Sequence, residues 1–124
     1  MDSLKETLKA SQRTKISCKE AHEMAEQFKI SPLQVGKILD ELQIKIIECQ
    51  LGLFGYGEKK KDIPKIISPD SQLLETIKAL AKDNKISCKT AWEIADNRNM
   101  QRKTIAGYIE SLGIKISDCQ LGAF

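Results

Sequence analysis

An internal repeat constrains the fold of this chain more than any other feature. The segment KISCK at residues 15–19 recurs at residues 85–89, and CQLGLF at residues 49–54 recurs as CQLGAF at residues 119–124. The offset is 70 residues in both cases, and 17 of the 40 positions 15–54 are identical to their partners. A match of this length at a fixed offset indicates tandem duplication of one structural unit.

The repeat defines two units and a linker. We expect the first unit to span residues 1–54, the second to span residues 72–124, and residues 55–71 (GYGEKKKDIPKIISPDS) to form an exposed linker. Within this linker, IPKIIS could form an edge strand, where proline is tolerated. A unit of about 50 residues is small for independent stability, so the units are expected to pack on each other or to dimerise.

Apolar spacing predicts two helices joined by a tight turn in each unit. In AHEMAEQFKISPLQVGKI at residues 21–38, apolar residues recur at three- and four-residue steps. Ser31 is placed to cap the second of these helices, and Pro32 fits its first position. Another helix is predicted before them, from about Ser3 to Ser11.

Residues rich in β-branched side chains predict short strands beside these helices. In the first unit they are KIS at residues 15–17 and IKIIECQ at residues 44–50. Ser17 and Glu20 are expected to form a capping box at the start of the following helix. The predicted fold class is therefore mainly α with short β-strands, in the order helix, strand, helix, helix, strand.

This pattern resembles the helix-turn-helix and winged-helix domains of DNA-binding proteins. The resemblance covers nearly the whole chain apart from the linker, and it implies two tandem repeats with truncated wings, because LGLFGYG turns too soon for a full second wing strand. A position often held by glycine in that family is Lys29 here. A lysine reaches the left-handed turn conformation only at some cost in energy.

The resemblance also implies which residues would contact DNA. In a helix-turn-helix, outward residues near the start of the third helix reach base edges in the major groove. In the first unit these are Ser31, Gln34 and Lys37. In the second unit they are Arg98, Gln101, Arg102, Lys103 and Thr104. Since arginine and glutamine read bases and lysine contacts phosphates, the second unit is the better DNA-reading candidate.

The leading functional hypothesis is a small DNA-binding protein, a transcriptional regulator that reads double-stranded DNA mainly through the third helix of the second repeat. A net charge of +3 permits this without requiring it. The alternative is a protein-interaction or self-association module, such as a homodimer, that uses the same fold without nucleic acid. RNA binding is less favoured. Aromatic residues, at 5%, are too few to suggest a platform for stacking single-stranded bases.

The four cysteines form one pair per unit at equivalent positions: Cys18, Cys49, Cys88 and Cys119. Three interpretations are open, namely buried packing, a redox-sensitive pair and metal ligation. We favour packing, because free cysteine is commonly buried. We predict no metal site, since there is no CxxC spacing and no nearby histidine.

Neither catalysis nor a membrane location is indicated. The only histidine, His22, is matched by Trp92 in the second copy, which suggests a partly covered helix surface. No pairing of nucleophile and base and no glycine-rich phosphate loop is recognisable, so we expect neither an enzyme nor a cofactor. Because the sequence has no run of about 18 apolar residues and its start lacks a signal-peptide core, a cytoplasmic protein is expected.

Overall fold

The computed structural model describes the backbone of residues 2–123, and the side chains of residues 3–58 and 60–123. The first unit consists of α1 (Asp2–Ser11), β1 (Lys15–Ser17), α2 (Cys18–Gln27), α3 (Pro32–Glu41) and β2 (Lys45–Ile47). After a short 3₁₀ turn at Gly57–Lys59, the second unit consists of α4 (Ser71–Leu80), β3 (Lys85–Ser87), α5 (Cys88–Asn97), α6 (Arg102–Ser111) and β4 (Lys115–Ser117). The prediction of a mainly helical chain with a few short strands is confirmed.

Side-chain caps fix where the helices begin. Ser17 Oγ accepts a hydrogen bond from the backbone N–H of Glu20, as predicted. The second half of that capping box is wrong, however, because the Glu20 carboxylate pairs with the Arg13 guanidinium at 2.9 and 3.0 Å. A complete capping box occurs instead at Ser31, whose Oγ accepts from the N–H of Gln34 while its own N–H donates to Gln34 Oε1.

The turn between the second and third helices has the same backbone conformation in both units. Lys29 has a φ of 55°, and Asn99 at the equivalent position has a φ of 54°. Lys29 thus adopts the left-handed conformation although it is not a glycine. Asparagine tolerates this region better than lysine does, so the first unit holds its turn under more strain.

The two strands of each unit pair in parallel. Lys15, Ile16 and Ser17 lie beside Lys45, Ile46 and Ile47 in the first unit. In the second unit Lys85, Ile86 and Ser87 lie beside Lys115, Ile116 and Ser117. The strand predicted for residues 44–50 is shorter than expected, because Glu48 adopts a left-handed φ of 51° that ends the extended run.

Most described side chains of the linker are exposed, as its composition predicts, but part of it packs on the second unit, and IPKIIS does not form an edge strand. Residues 61–67 have no regular secondary structure. Ile63 and Ile66 instead pack on the core of the second unit. Their apolar side chains are buried in this way without strand pairing, and Pro64 has no N–H to donate to a neighbouring strand.

Each unit has its own hydrophobic core, but each core also includes residues from the other unit. Leu51, which follows β2, is fully buried in the second core, and Leu121, which follows β4, is buried in the first. The expected packing of the units on one another is confirmed. Phe54 packs on the second core, whereas Phe124, its counterpart in the repeat, lies outside the described residues. Within residues 2–123, no helix has the length and apolar character needed to cross a membrane.

Candidate nucleic-acid interface

The predicted DNA-contacting residues of the first unit lie along the start of α3. Ser31 is exposed, but its hydroxyl is engaged in the capping box with Gln34. Lys37 is also exposed, one turn further along the helix. Of these three residues, Lys37 therefore has the side chain most available to a ligand.

Arg102, at the start of α6, is held by protein contacts rather than extended into solvent. Its guanidinium lies 3.7 Å from the centre of the Trp92 ring and pairs with both oxygens of the Asp96 carboxylate, at 2.9 and 3.2 Å. It also approaches Gln50 Oε1 of the first unit at 3.5 Å. A bidentate, aromatic-stacked arginine is positioned rigidly and would have to break these contacts to reach a base.

Lys103 is similarly engaged, in this case by the linker. Its ammonium forms an ion pair with Asp62 and lies 4.5 Å from the centre of the Tyr56 ring. The hydrogen bond with Asp62 is the largest cause of a raised Lys103 pKa. Tyr56 is itself fixed, because its hydroxyl donates to the carbonyl of Cys49 at 2.6 Å.

The linker also covers α6 one turn beyond Lys103. The carbonyl of Pro64 lies so close to Gly107 that a Cβ built there would be 2.5 Å from its oxygen. Gly107 is accordingly buried, although the equivalent residue of α3 is the exposed Lys37. Residues of the linker thus contact this part of α6 at Lys103 and at Gly107.

The residues of the second unit that were predicted to contact DNA do not all lie at one site. Gln101, Arg102 and Lys103 line a polar cleft of about 520 Å³, together with Glu48, Gln50, Tyr56, Asp96 and Met100. Thr104 is half-buried in the first turn of α6. Arg98 does not line the cleft; it is exposed, and its guanidinium donates to Thr76 Oγ1 at 3.3 Å.

His22 and Trp92, which occupy equivalent positions of α2 and α5, meet where the units pack. Their ring centroids are 4.4 Å apart, with the planes tilted by 45°. Burial, together with the positive charge of Arg102, lowers the pKa of His22 to about 4. His22 Nε2 and Trp92 Nε1 are buried with no hydrogen-bond partner among the described residues. This position is therefore partly covered, as expected, and it is the contact between the units that covers it.

The four cysteines also converge on this region. All are free thiols; Cys18, Cys49 and Cys88 are buried, and Cys119 is half-buried. Cys18 interacts electrostatically with each of the other three, and its pKa is raised to about 12, chiefly by burial. Burial also raises the pKa of Cys49 and Cys88. A thiol that resists deprotonation reacts slowly, which favours packing over redox chemistry. Within the part of the chain described, no group of three His, Cys, Asp or Glu residues is arranged to hold a metal ion.

A pair of exposed lysines lies on the small sheet of each unit, a feature that sequence reasoning missed. Lys15 is the register partner of Lys45, and Lys85 is the register partner of Lys115. All four are exposed, and the ion pairs found among the described residues include none of them. A sequence signal was present, since these lysines are identical in both copies although no core requires them. The parallel register that makes them neighbours was not deducible from that signal.

Searches against protein-family models, curated proteins and solved structures found no match to this chain. Its function is therefore inferred from its own residues.

Proposed function

We propose that this chain is a small protein that binds double-stranded DNA and acts as a transcriptional regulator. The observation that carries the proposal is the pair of neighbouring, exposed lysines in each unit, Lys15 with Lys45 and Lys85 with Lys115. Like charges side by side on adjacent strands destabilise a sheet. A phosphate bound between them would relieve that repulsion, and the phosphates of a duplex offer such an anion repeatedly.

A second set of residues supports the same proposal. Lys19 and Lys89, in the first turn of α2 and α5, are also exposed and also identical in the two copies. Each unit therefore presents three lysines at equivalent positions. Such positions suit sequence-independent contacts to phosphate, which orient a protein on the duplex.

We interpret α2 with α3, and α5 with α6, as helix-turn-helix pairs, because each pair is joined by a short turn with a left-handed residue. On this interpretation α3 has the more open outward face, with Lys37 extended into solvent. Arg98, Gln101 and Thr104 remain base-contacting candidates in the second unit. Arg102 and Lys103 could contact DNA only after leaving Asp96 and Asp62.

The test is fluorescence anisotropy with a pool of random duplex DNA, repeated over a range of salt concentrations. The variant replaces Lys15, Lys45, Lys85 and Lys115 by glutamine. The native chain is expected to bind with a steep salt dependence, and the variant to bind more weakly, with the slope of log K against log salt reduced by about 3 to 4. A chain with Lys9→Gln and Lys65→Gln, two exposed lysines outside the sheets, serves as a control for lost charge.

Two outcomes would contradict the proposal: no binding at low salt, or equal affinity in the fourfold variant and the native chain. A further variant, Arg102→Ala with Lys103→Ala, separates the two modes of contact. Affinity close to native in this double variant would show that phosphate contacts made elsewhere dominate. A complete loss would restore α6 as the principal reading helix.

The alternative function is a protein-interaction module. The observation that favours it is the engagement of Arg102 with Trp92 and of Lys103 with Tyr56, which removes both cations from a groove-reading role in this conformation. Two exposed apolar side chains, Leu33 at 48% and Ile67 at 92%, would then be available to a partner chain. Failure of the DNA experiment, with capture of a defined partner that is lost in Leu33→Ser, would favour this alternative.

A further inference from the structure

The two units are joined by a reciprocal exchange of the segments that follow their last strands. The segment after β2 contributes Cys49 and the fully buried Leu51 to the second core, with Leu53 and Phe54 packed beside them. The segment after β4 contributes Leu121, which is 2% exposed, to the first core. Neither core is complete with residues of its own unit alone.

The exchanged segments make close backbone contacts as well as apolar ones. The carbonyl of Leu121 lies against Gly36 of α3, so closely that a Cβ on this glycine would coincide with the carbonyl group. Only glycine permits a helix and a crossing segment to approach to this distance. The first unit is thus shaped to receive the second unit's tail.

Side chains from both units also share the contact region. Trp92 packs against both hydrophobic cores, and its ring lies against His22 of the first unit. The Arg102 guanidinium lies 3.7 Å from the centre of the Trp92 ring and reaches Gln50 of the first unit's tail. Buried aromatic and arginine side chains of this kind commonly dominate the energy of protein interfaces.

We propose that the contact surface between the two units is a specific recognition interface. Each unit can bind the complementary unit of a second copy of this chain in the same way as it binds the complementary unit of its own chain. The interface does not depend on residues 57–61 of the connection. The described side chains of Glu58, Lys60 and Lys61 are exposed, and Lys61 contacts the second unit through an exposed ion pair with Glu110. Such an exposed pair contributes little.

Residues 57–61 then act mainly by keeping the two units at a high effective concentration. Two units joined by a short connection meet each other at an effective concentration of order millimolar, so the intact chain pairs with itself. Once that connection is cut, a unit pairs as readily with the complementary unit of another chain as with that of its own chain. Exchange of whole units between copies is the route by which domain-swapped assemblies form.

The experiment cuts the folded full-length chain at one place. A recognition sequence for a specific protease replaces residues 57–61, and the purified, folded protein is cleaved there. The cleaved protein is mixed with a cleaved copy labelled with heavy isotopes and followed by native mass spectrometry and size-exclusion chromatography. We expect the halves to co-elute as one species with the mass of the intact chain, and mixed pairs of light and heavy halves to accumulate with time.

A matched set of variants tests the surface itself. Leu51→Ala with Leu121→Ala in the cleavable chain should weaken the pairing of the halves by about a hundredfold or more, measured by dilution in sedimentation velocity. Leu80→Ala removes a leucine that is 47% exposed on α4 and should leave pairing unchanged. Halves that separate after cleavage, whether folded or unfolded, would overturn the proposal. So would halves that stay paired without forming mixed species, or equal pairing in the Leu51/Leu121 and Leu80 variants.

Discussion

The two units share their secondary structure and strand register but differ in the surface of the third helix. Lys37 on α3 is exposed, whereas the equivalent Gly107 on α6 is buried beneath the carbonyl of Pro64. The linker packs on the second unit, so equivalent positions have different environments. From Glu26 to Glu41 and from Asp96 to Ser111 no equivalent positions are identical. At Gly107 the difference in sequence between the two copies reflects packing against the linker rather than DNA reading.

A second pair of equivalent residues also differs in environment, but here the closer contact is made with the first unit. Gly36 on α3 is pressed against the carbonyl of Leu121, while its counterpart on α6 is Ala106, buried in the second core. The tail of the second unit therefore approaches the first unit more closely than the reverse. The duplication has kept the fold of each unit while adapting each to the segment that crosses it.

The strongest test of this comparison removes one exchanged leucine at a time. Leu51→Ala and Leu121→Ala should each lower the free energy of unfolding by about 2–5 kcal/mol, because each leaves a cavity in a core. Each substitution should loosen the unit whose core the leucine enters, which is not the unit that carries the substitution. By hydrogen exchange with mass spectrometry, Leu121→Ala should speed exchange most in α1, α2 and α3, and Leu51→Ala most in α4, α5 and α6.

Controls within each core make this pattern interpretable. Leu8→Ala and Ile77→Ala remove fully or almost fully buried side chains that belong to their own unit. They should loosen the unit that carries the substitution. If Leu51→Ala and Leu121→Ala also speeded hydrogen exchange mainly in the unit that carries the substitution, the exchange of tails would not occur in solution.

The sequence predicts the elements of this fold well because their signals are local. Ser17 and Ser31 cap helices where expected. The exchange of Leu51 and Leu121 was not predictable, because apolar periodicity shows that a residue is buried without showing in which core. Because the sequence is duplicated, both cores offer equivalent sites, and the pattern cannot assign either leucine to one of them.

The candidate site was less predictable than the fold for a related reason. Residues such as Arg102 and Lys103 are typical of DNA-reading positions, but whether such a cation is free depends on partners distant in sequence. Asp62 approaches α6 from the linker and Gln50 approaches it from the first unit, and the local sequence pattern encodes neither contact. The lysine pairs of the sheets were missed because their adjacency depends on a strand register.

The next test exchanges the small residues of the third helices. Gly36→Ala should destabilise the protein by about 1–3 kcal/mol, because a methyl group would collide with the backbone of Leu121. Ala106→Gly should lower stability by about 1 kcal/mol, through helix propensity. Thermal and urea unfolding of both variants measure the difference. A neutral Gly36→Ala would mean that the tail of the second unit does not lie against α3.

Position 22 distinguishes the units because His22 can be protonated, whereas its counterpart Trp92 cannot. Burial and Arg102 lower the pKa of His22 to about 4, so the folded state binds its proton less well than the unfolded state does. Stability should therefore fall as pH drops from the unfolded histidine pKa near 6.5 towards 4. Because His22 is only partly buried, we expect a loss of about 1–2 kcal/mol in this window.

The measurement is urea unfolding at pH 7 and pH 4.5 of the native chain and of His22→Phe, which keeps an aromatic ring beside Trp92. Comparing the two proteins removes the contribution of carboxylates that titrate in the same range. The variant should lose less stability on acidification. An equal loss in both proteins would show that His22 is not buried between the units.

The smallest expected effect concerns the turn between the second and third helices. Lys29 and Asn99 have nearly the same positive φ, but a lysine is less tolerant of it. Lys29→Gly should stabilise the protein by about 0.5–1 kcal/mol, since relief of backbone strain exceeds the added entropy of the unfolded chain. Asn99→Gly should change stability by less than about 0.5 kcal/mol. Denaturant midpoints at constant slope are sensitive enough to separate these values. A larger gain at Asn99 than at Lys29 would show that the two turns differ in more than their central residue.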